Sequence, residues 1–237
     1  MKCLTPYWID SKKTWESGFM FGLVRAKNLG LDKNYPFRLP VPCGRCTACR
    51  LKNRLIWTFR ISEEVKDSDF VAFATMTYDD VHVPFTQHLD VETGLMIEDL
   101  PTIVYKDFQD FKERYKKRLL RKYNVQLRYF CCGEYGGKTF RPHFHALFFF
   151  KGTDHESTFL LRGIFRREFF DCWTKGKILD FRDLNGEGAA GYCNKYMAKQ
   201  LSFMPHDEQA KEKSLKSRLI GRGYIDRMKK WHLADPD

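Results

Sequence analysis

The sequence predicts an α+β fold built on an antiparallel sheet. Three observations lead there. Gln126–Tyr135, the Gly136-Gly137 pair and residues 143–151 read as a β-hairpin. Tyr105–Tyr123 carries a helical apolar period. Strand and helix signals otherwise mix without the strict βαβ alternation of a parallel sheet.

Taken in order, the first forty-odd residues look irregular, with scattered Gly, Pro and Lys, and end in Pro42-Cys43-Gly44-Arg45-Cys46-Thr47-Ala48-Cys49. From about residue 50 to 66 the spacing of Leu51, Leu55, Phe59 and Val65 predicts a helix. Residues 70–78 form a strand, continuously apolar at first and then alternating through Thr75-Met76-Thr77. Residues 80–101 are loop-like with a short hairpin. The helix over Tyr105–Tyr123 buries a stripe of Phe108, Phe111, Tyr115, Leu119 and Leu120, and crowds Lys112, Arg114, Lys116, Lys117, Arg118, Arg121 and Lys122 on its other face. A second helix covers 157–173 and a third 189–200. Residues 211–230 are basic and helical, interrupted by Gly221-Arg222-Gly223.

Composition narrows the class. The chain has 237 residues, 43% of them hydrophobic, including 21 Phe and 11 Tyr, so it can bury a substantial core. Its formal net charge of +11 favours a polyanionic partner, either nucleic acid or an acidic membrane surface. Met1-Lys2-Cys3 leads into Pro6, Asp10 and Lys12 without the apolar stretch of a secretory leader, and no apolar run approaches a membrane span. Eight cysteines in such a chain point to a reducing compartment, with thiols that are metal-bound or buried.

His143-Phe144-His145 places both imidazoles on one face of a strand, since alternate side chains share a face. Two ordinary strand histidines give the same pattern. Glu134, on the preceding strand across a short turn, can project beside them in one register. Two His and one Glu leave coordination positions open, and this mixed set suits Mn²⁺ or Mg²⁺, with Zn²⁺ as the alternative.

Tyr192 and Tyr196 stand four apart, on one helix face, each followed three residues later by a lysine, Lys195 and Lys199. A cation one turn along favours the phenolate or pairs with a phosphate, which matters because a free phenol is a poor nucleophile. Tyrosines at this spacing also pack cores with their hydroxyls at the rim.

Cys43, Cys46 and Cys49 offer three thiolates at two-residue gaps and Cys3 a fourth. A structural Zn²⁺ is the preferred reading. An iron–sulfur cluster and a metal-free set of thiols are the alternatives; position 53 is Asn, so the ferredoxin-type fourth Cys is missing. Cys131, Cys132, Cys172 and Cys193 read as buried small apolar residues. Arg128, Arg141, Lys116, Lys117 and Arg121 are candidate phosphate contacts.

Together these segments carry a resemblance. Phe73-Ala74-Thr75-Met76-Thr77-Tyr78-Asp79, then Cys132-Gly133-Glu134-Tyr135-Gly136 with Arg141-Pro142-His143-Phe144-His145, then Tyr192-Cys193-Asn194-Lys195-Tyr196, resemble the three ordered motifs of HUH rolling-circle replication initiators of the two-tyrosine type. The early Cys and the Pro42–Arg50 segment resemble the initiators of gokushovirus-like microviruses, small single-stranded DNA phages. Cys193-Asn194 departs from the small or apolar pair more usual between the tyrosines.

The resemblance implies a central antiparallel sheet of about five strands with flanking helices, the His-bearing strand in the middle and the tyrosine helix across from it. It implies an endonuclease domain over 56–204, preceded by a Cys-containing segment over 1–55 and followed by a basic extension over 205–237. It implies a metal-dependent endonuclease that nicks a replication origin, links a tyrosine to the 5′ phosphate and leaves a 3′-OH primer, with rejoining by the second tyrosine. The metal, Mg²⁺ or Mn²⁺, sits on His143, His145 and Glu134. The implied partners are single-stranded or origin DNA and the host helicase and polymerase, in the host bacterial cytoplasm, with no membrane. No Gly-x-x-x-x-Gly-Lys-Ser/Thr loop is present for an attached helicase. Competing readings are a two-tyrosine transposase or plasmid initiator, a metal-dependent hydrolase that uses water, and a non-catalytic nucleic-acid-binding module.

Overall fold

A computed structural model describes residues 2–10, 38–44, 46–137, 139–184, 191 and 208–234. The expected helix over 189–200, with Tyr192, Tyr196, Lys195, Lys199 and Cys193, lies outside the described residues, apart from Gly191. Two compact units are present, Met1–Ile56 and Trp57–Asp237.

In the first unit, β1 (Tyr7–Asp10) pairs antiparallel with β2 (Arg38–Val41), Tyr7 opposite Val41. The expectation of irregular chain missed this pair. Four-residue strands are too short for their period to stand out. Helix α1 (Thr47–Lys66) begins here and continues into the second unit.

The second unit is α+β. Its central sheet is made of β3 (Phe70–Thr77), β6 (Gln126–Tyr135), β7 (Pro142–Lys151), β8 (Ile178–Asp183) and β9 (Ser214–Lys216). These five strands run antiparallel in the order β8-β3-β7-β6-β9. The histidine-bearing β7 is the middle strand. A separate hairpin, β4 (Phe85–Leu89) with β5 (Met96–Pro101), occupies the stretch expected to be loop with a short hairpin.

Strand alternation gives the sheet two apolar faces. Ala72, Ala74, Met76, Cys131, Phe144, Phe148 and Phe150 face one way, against Phe108, Phe111, Tyr115 and Leu119 of α2 (Tyr105–Tyr123) and Phe165 and Phe169 of α4 (Arg162–Cys172). The ring of Phe111 meets that of Phe169 edge-on at 4.9 Å. Leu120, expected in the α2 stripe, is exposed; the buried stripe is 108, 111, 115 and 119. Asn124 closes α2 in the left-handed conformation, its N–H reaching the carbonyls of Leu119 and Leu120.

Val71, Phe73, Phe130, Leu147 and Phe149 face the other way, packed on Trp57 and Ile61 of α1 and on Ile220. The helix over 50–66 is borne out, but its buried face is not the expected one. Leu51, Leu55 and Phe59 are exposed, and Trp57 and Ile61 are buried. Two apolar stripes compete along this helix, and tertiary packing selects between them.

The single helix expected over 157–173 is two, α3 (His155–Leu160) and α4, divided at Leu161. Asp154 caps α3 by accepting from the Ser157 N–H at 2.7 Å. Residues 211–230 are not one helix: β9 joins the sheet edge beside β6, and α5 (Arg222–Ala234) follows. Among the described residues no helix is long and apolar enough to cross a membrane.

Candidate metal centre

Register brings the site together. Across β7, His145 stands opposite Thr75 of β3 and Cys132 of β6, while His143 stands opposite Thr77 and Glu134. Residues two apart on one strand share a face, so Thr75, Thr77, Glu134, His143 and His145 all lie on the α1-covered side of the sheet.

The three candidate ligands converge. Glu134 Oε1 lies 3.0 Å from His143 Nε2 and 2.9 Å from His145 Nε2. The ligand atoms all sit within 4.8 Å of one another. The side chains are shielded, with 6% of Glu134, 16% of His143 and 9% of His145 accessible, so solvent screens their charges only weakly.

The outer partners of the imidazoles fix their orientation. His143 Nδ1 lies 3.1 Å from the Arg141 carbonyl oxygen, which can only accept. That contact assigns the proton to Nδ1, so in the neutral ring Nε2 turns its lone pair toward the Glu134 carboxylate. His145 Nδ1 lies 2.9 Å from Thr75 Oγ1, and the Phe73 ring stacks on the His145 ring at 5.9 Å. Lone pairs and a carboxylate oxygen meeting at one point repel unless a proton or a cation sits among them. Burial alone would raise the Glu134 carboxyl; the hydrogen bonds from His143 and His145 outweigh it and hold that carboxyl well below the ordinary range. An N, N, O donor set with backed imidazoles and an ionised carboxylate fits a divalent cation with open positions for substrate oxygens.

Arg141 links this cluster to a neighbouring cleft. Its guanidinium donates to the Tyr78 carbonyl at 2.9 Å and pairs with Asp80. With Asp80, Val83, Phe85, Pro101 and Thr139 it lines an open cleft of about 360 Å³. Trp173 Nε1 donates to the Thr77 carbonyl at 3.1 Å, and Gly176 passes so close that a Cβ there would meet the Thr77 carbonyl oxygen at 2.4 Å.

The structure does not bring the other candidate phosphate contacts to this cluster. Lys116, Lys117 and Arg121 are exposed on α2, which covers the opposite face of the sheet. Arg128 lies six residues along β6 from Glu134, roughly 20 Å at strand rise. Its guanidinium is held by the buried Glu64 at 3.0 Å. Sequence reasoning missed Thr75, Phe73 and the Arg141 carbonyl. Only the β3–β7 register reveals the first two.

The family model of the phage replication-associated protein ORF2 matches residues 71–201, more than half of the chain. The chain belongs to this family. The matched span includes Glu134, His143 and His145 and runs on through Tyr192 and Tyr196. Two relatives are similar along most of the chain. The replication-associated protein VP4 of Bdellovibrio phage phiMH2K is 31% identical over 194 residues, covering 78% of this chain and 58% of the relative. The replication-associated protein ORF2 of Spiroplasma virus 4 is 28% identical, covering 95% of this chain and 70% of the relative. The chain thus spans little more than half the length of the first. No solved structure matches it.

Proposed function

We propose that this replication-associated chain initiates phage DNA replication by nicking single-stranded origin DNA with Tyr192 or Tyr196 and remaining linked to the cut 5′ end. The observation that carries the reading is the convergence of Glu134, His143 and His145 on one point of the central strand pair. Support also comes from the family, whose matched span contains both the cluster and the doubled Tyr-x-x-Lys.

Glu134, His143 and His145 would hold Mg²⁺ or Mn²⁺, whose positive charge polarises a scissile phosphate and offsets charge developing on it. The residues of the chain do the rest. Thr75 and the Arg141 carbonyl keep both imidazoles aimed inward, and Glu134 stays ionised. One phenol oxygen attacks phosphorus: its O–P bond forms, the P–O3′ bond breaks, the phenolic proton is lost and the departing oxygen takes one up. The products are a 5′-phosphotyrosine and a 3′-OH that primes a host polymerase, alongside a host helicase, in the bacterial cytoplasm. One phosphodiester is exchanged for another, so no nucleotide is consumed. Lys195 and Lys199, each one turn from a tyrosine, favour the phenolate or steady the phosphate. The second tyrosine cuts the regenerated origin while the new 3′-OH attacks the first link.

Incubation of the chain with 3′-labelled single-stranded origin DNA and Mn²⁺ tests this. The expected product is a protein–DNA band that survives boiling in detergent and is missing in Tyr192→Phe/Tyr196→Phe. Free 5′-phosphate without that band makes the chain a water-using hydrolase. Salt-sensitive binding without cleavage makes it a binding module.

A further inference from the structure

Far along the chain from the histidines, four sulfurs are grouped in the first unit. Cys3 precedes β1, Cys43 follows β2, Cys46 stands at the start of α1 and Cys49 in its first turn. The antiparallel β1–β2 pair closes the long chain between Cys3 and Cys43. All four Sγ atoms lie within 4.8 Å of one another. Cys3 and Cys46 Sγ are 3.8 Å apart, and Cys43 and Cys49 Sγ 3.9 Å. A disulfide needs about 2.05 Å, so neither pair is bonded. A tetrahedron of thiolates around zinc, with Zn–S of about 2.3 Å, has edges of about 3.8 Å. A multi-iron cluster needs its thiolates farther apart than this.

Backbone donors point at the sulfurs as they would at charged ligands. The N–H groups of Cys43, Leu4 and Cys46 reach Cys3 Sγ at 3.3 Å, Cys46 Sγ at 3.4 Å and Cys43 Sγ at 3.3 Å. Thr5 Oγ1 adds a donor to Cys43 Sγ at 3.3 Å. The N-terminus of α1 also favours negative charge on Cys46 and Cys49. The unit needs such a staple. Among its residues with described side chains, only Ala48 and Cys49 are buried, too little apolar surface to order two short strands.

We propose that Cys3, Cys43, Cys46 and Cys49 bind one structural Zn²⁺ that ties the N-terminal strand pair to the start of α1. Binding exchanges four thiol protons for one cation and leaves a closed tetrahedral centre with no position for substrate. The site is separate from the Glu134 cluster and does not depend on the strand-transfer reading.

The test uses the full chain carrying His143→Ala/His145→Ala, so that the two sites cannot be confused. Elemental analysis after purification without added metal should find one zinc per chain. The further change Cys46→Ser should abolish it. In the unmutated chain, cobalt substitution should give the thiolate-to-metal charge-transfer absorption of a tetrahedral sulfur site. The four cysteines should resist alkylation until a chelator is added. Bound iron in place of zinc, no metal in the double-histidine variant, a cobalt spectrum without thiolate absorption, or equal alkylation with and without chelator would each overturn the proposal.

Discussion

Thr75 and His145 are cross-strand partners, and the threonine hydroxyl lies 2.9 Å from His145 Nδ1. This contact leaves Nε2 aimed at Glu134, so a residue seventy positions earlier sets the direction of a candidate ligand. Removing it while keeping the shape, in Thr75→Val, should weaken Mn²⁺ binding about tenfold, within the range such supporting partners control. Thr75→Ser should restore most of the affinity. Calorimetric titration reads both; equal affinities in all three proteins would remove Thr75 from the site.

The Glu64–Arg128 pair lies on the same sheet face but serves packing. Glu64 is buried, and it accepts from Arg128 and from the Gly221 N–H at 2.8 Å. Arg128→Gln should cost about 1–3 kcal/mol in urea unfolding, less than a fully buried pair would because the guanidinium is half-exposed. The salt dependence of DNA binding should stay the same. A log–log salt slope shallower by about 0.7 would instead mark Arg128 as a phosphate contact.

Gly221 sits at φ +73°, where a Cβ would come 2.6 Å from the Arg60 carbonyl oxygen. Backbone cannot yield there as a flexible side chain could. Gly221→Ala should destabilise the chain by about 1–3 kcal/mol, seen as a lower urea midpoint with an unchanged slope. An unchanged midpoint would show that the turn relaxes freely.

Glu168 links α4 to α2. Lys122, Tyr123 and Arg118 donate to it at 2.7, 3.0 and 3.1 Å, and the Lys122 bond foremost holds its carboxyl below the ordinary glutamate range. The folded pKa is therefore the lower one. Its stabilisation is complete above the unfolded value and disappears as pH falls through the folded one. The stability gap between the wild-type chain and Glu168→Gln should narrow on acidification below about pH 5. A gap independent of pH in urea titrations would contradict this.

The helix α2 and the β6–β7 hairpin were legible because each is long and strongly periodic. Glu134, His143 and His145 were legible because a hairpin register and strand alternation suffice to align them. Strand β8 was not, since Phe181 is its one buried residue, and β9 has three residues at a sheet edge. The buried stripe of α1 was misread because Leu55 and Phe59 compete with Trp57 and Ile61 one face away. The support from Thr75 and the engagement of Arg128 by Glu64 depend on pairings between distant segments, which no local pattern announces.

The central claim is that a tyrosine of the doubled motif forms the DNA link under control of the Glu134–His143–His145 cluster. Peptide mapping by mass spectrometry after reaction with origin DNA and Mn²⁺ addresses it directly. The predicted result is a nucleotide on the peptide bearing Tyr192 or Tyr196, lost when Mn²⁺ is withheld and lost in His143→Ala/His145→Ala. A modified residue elsewhere, or undiminished modification in the double-histidine variant, would contradict it.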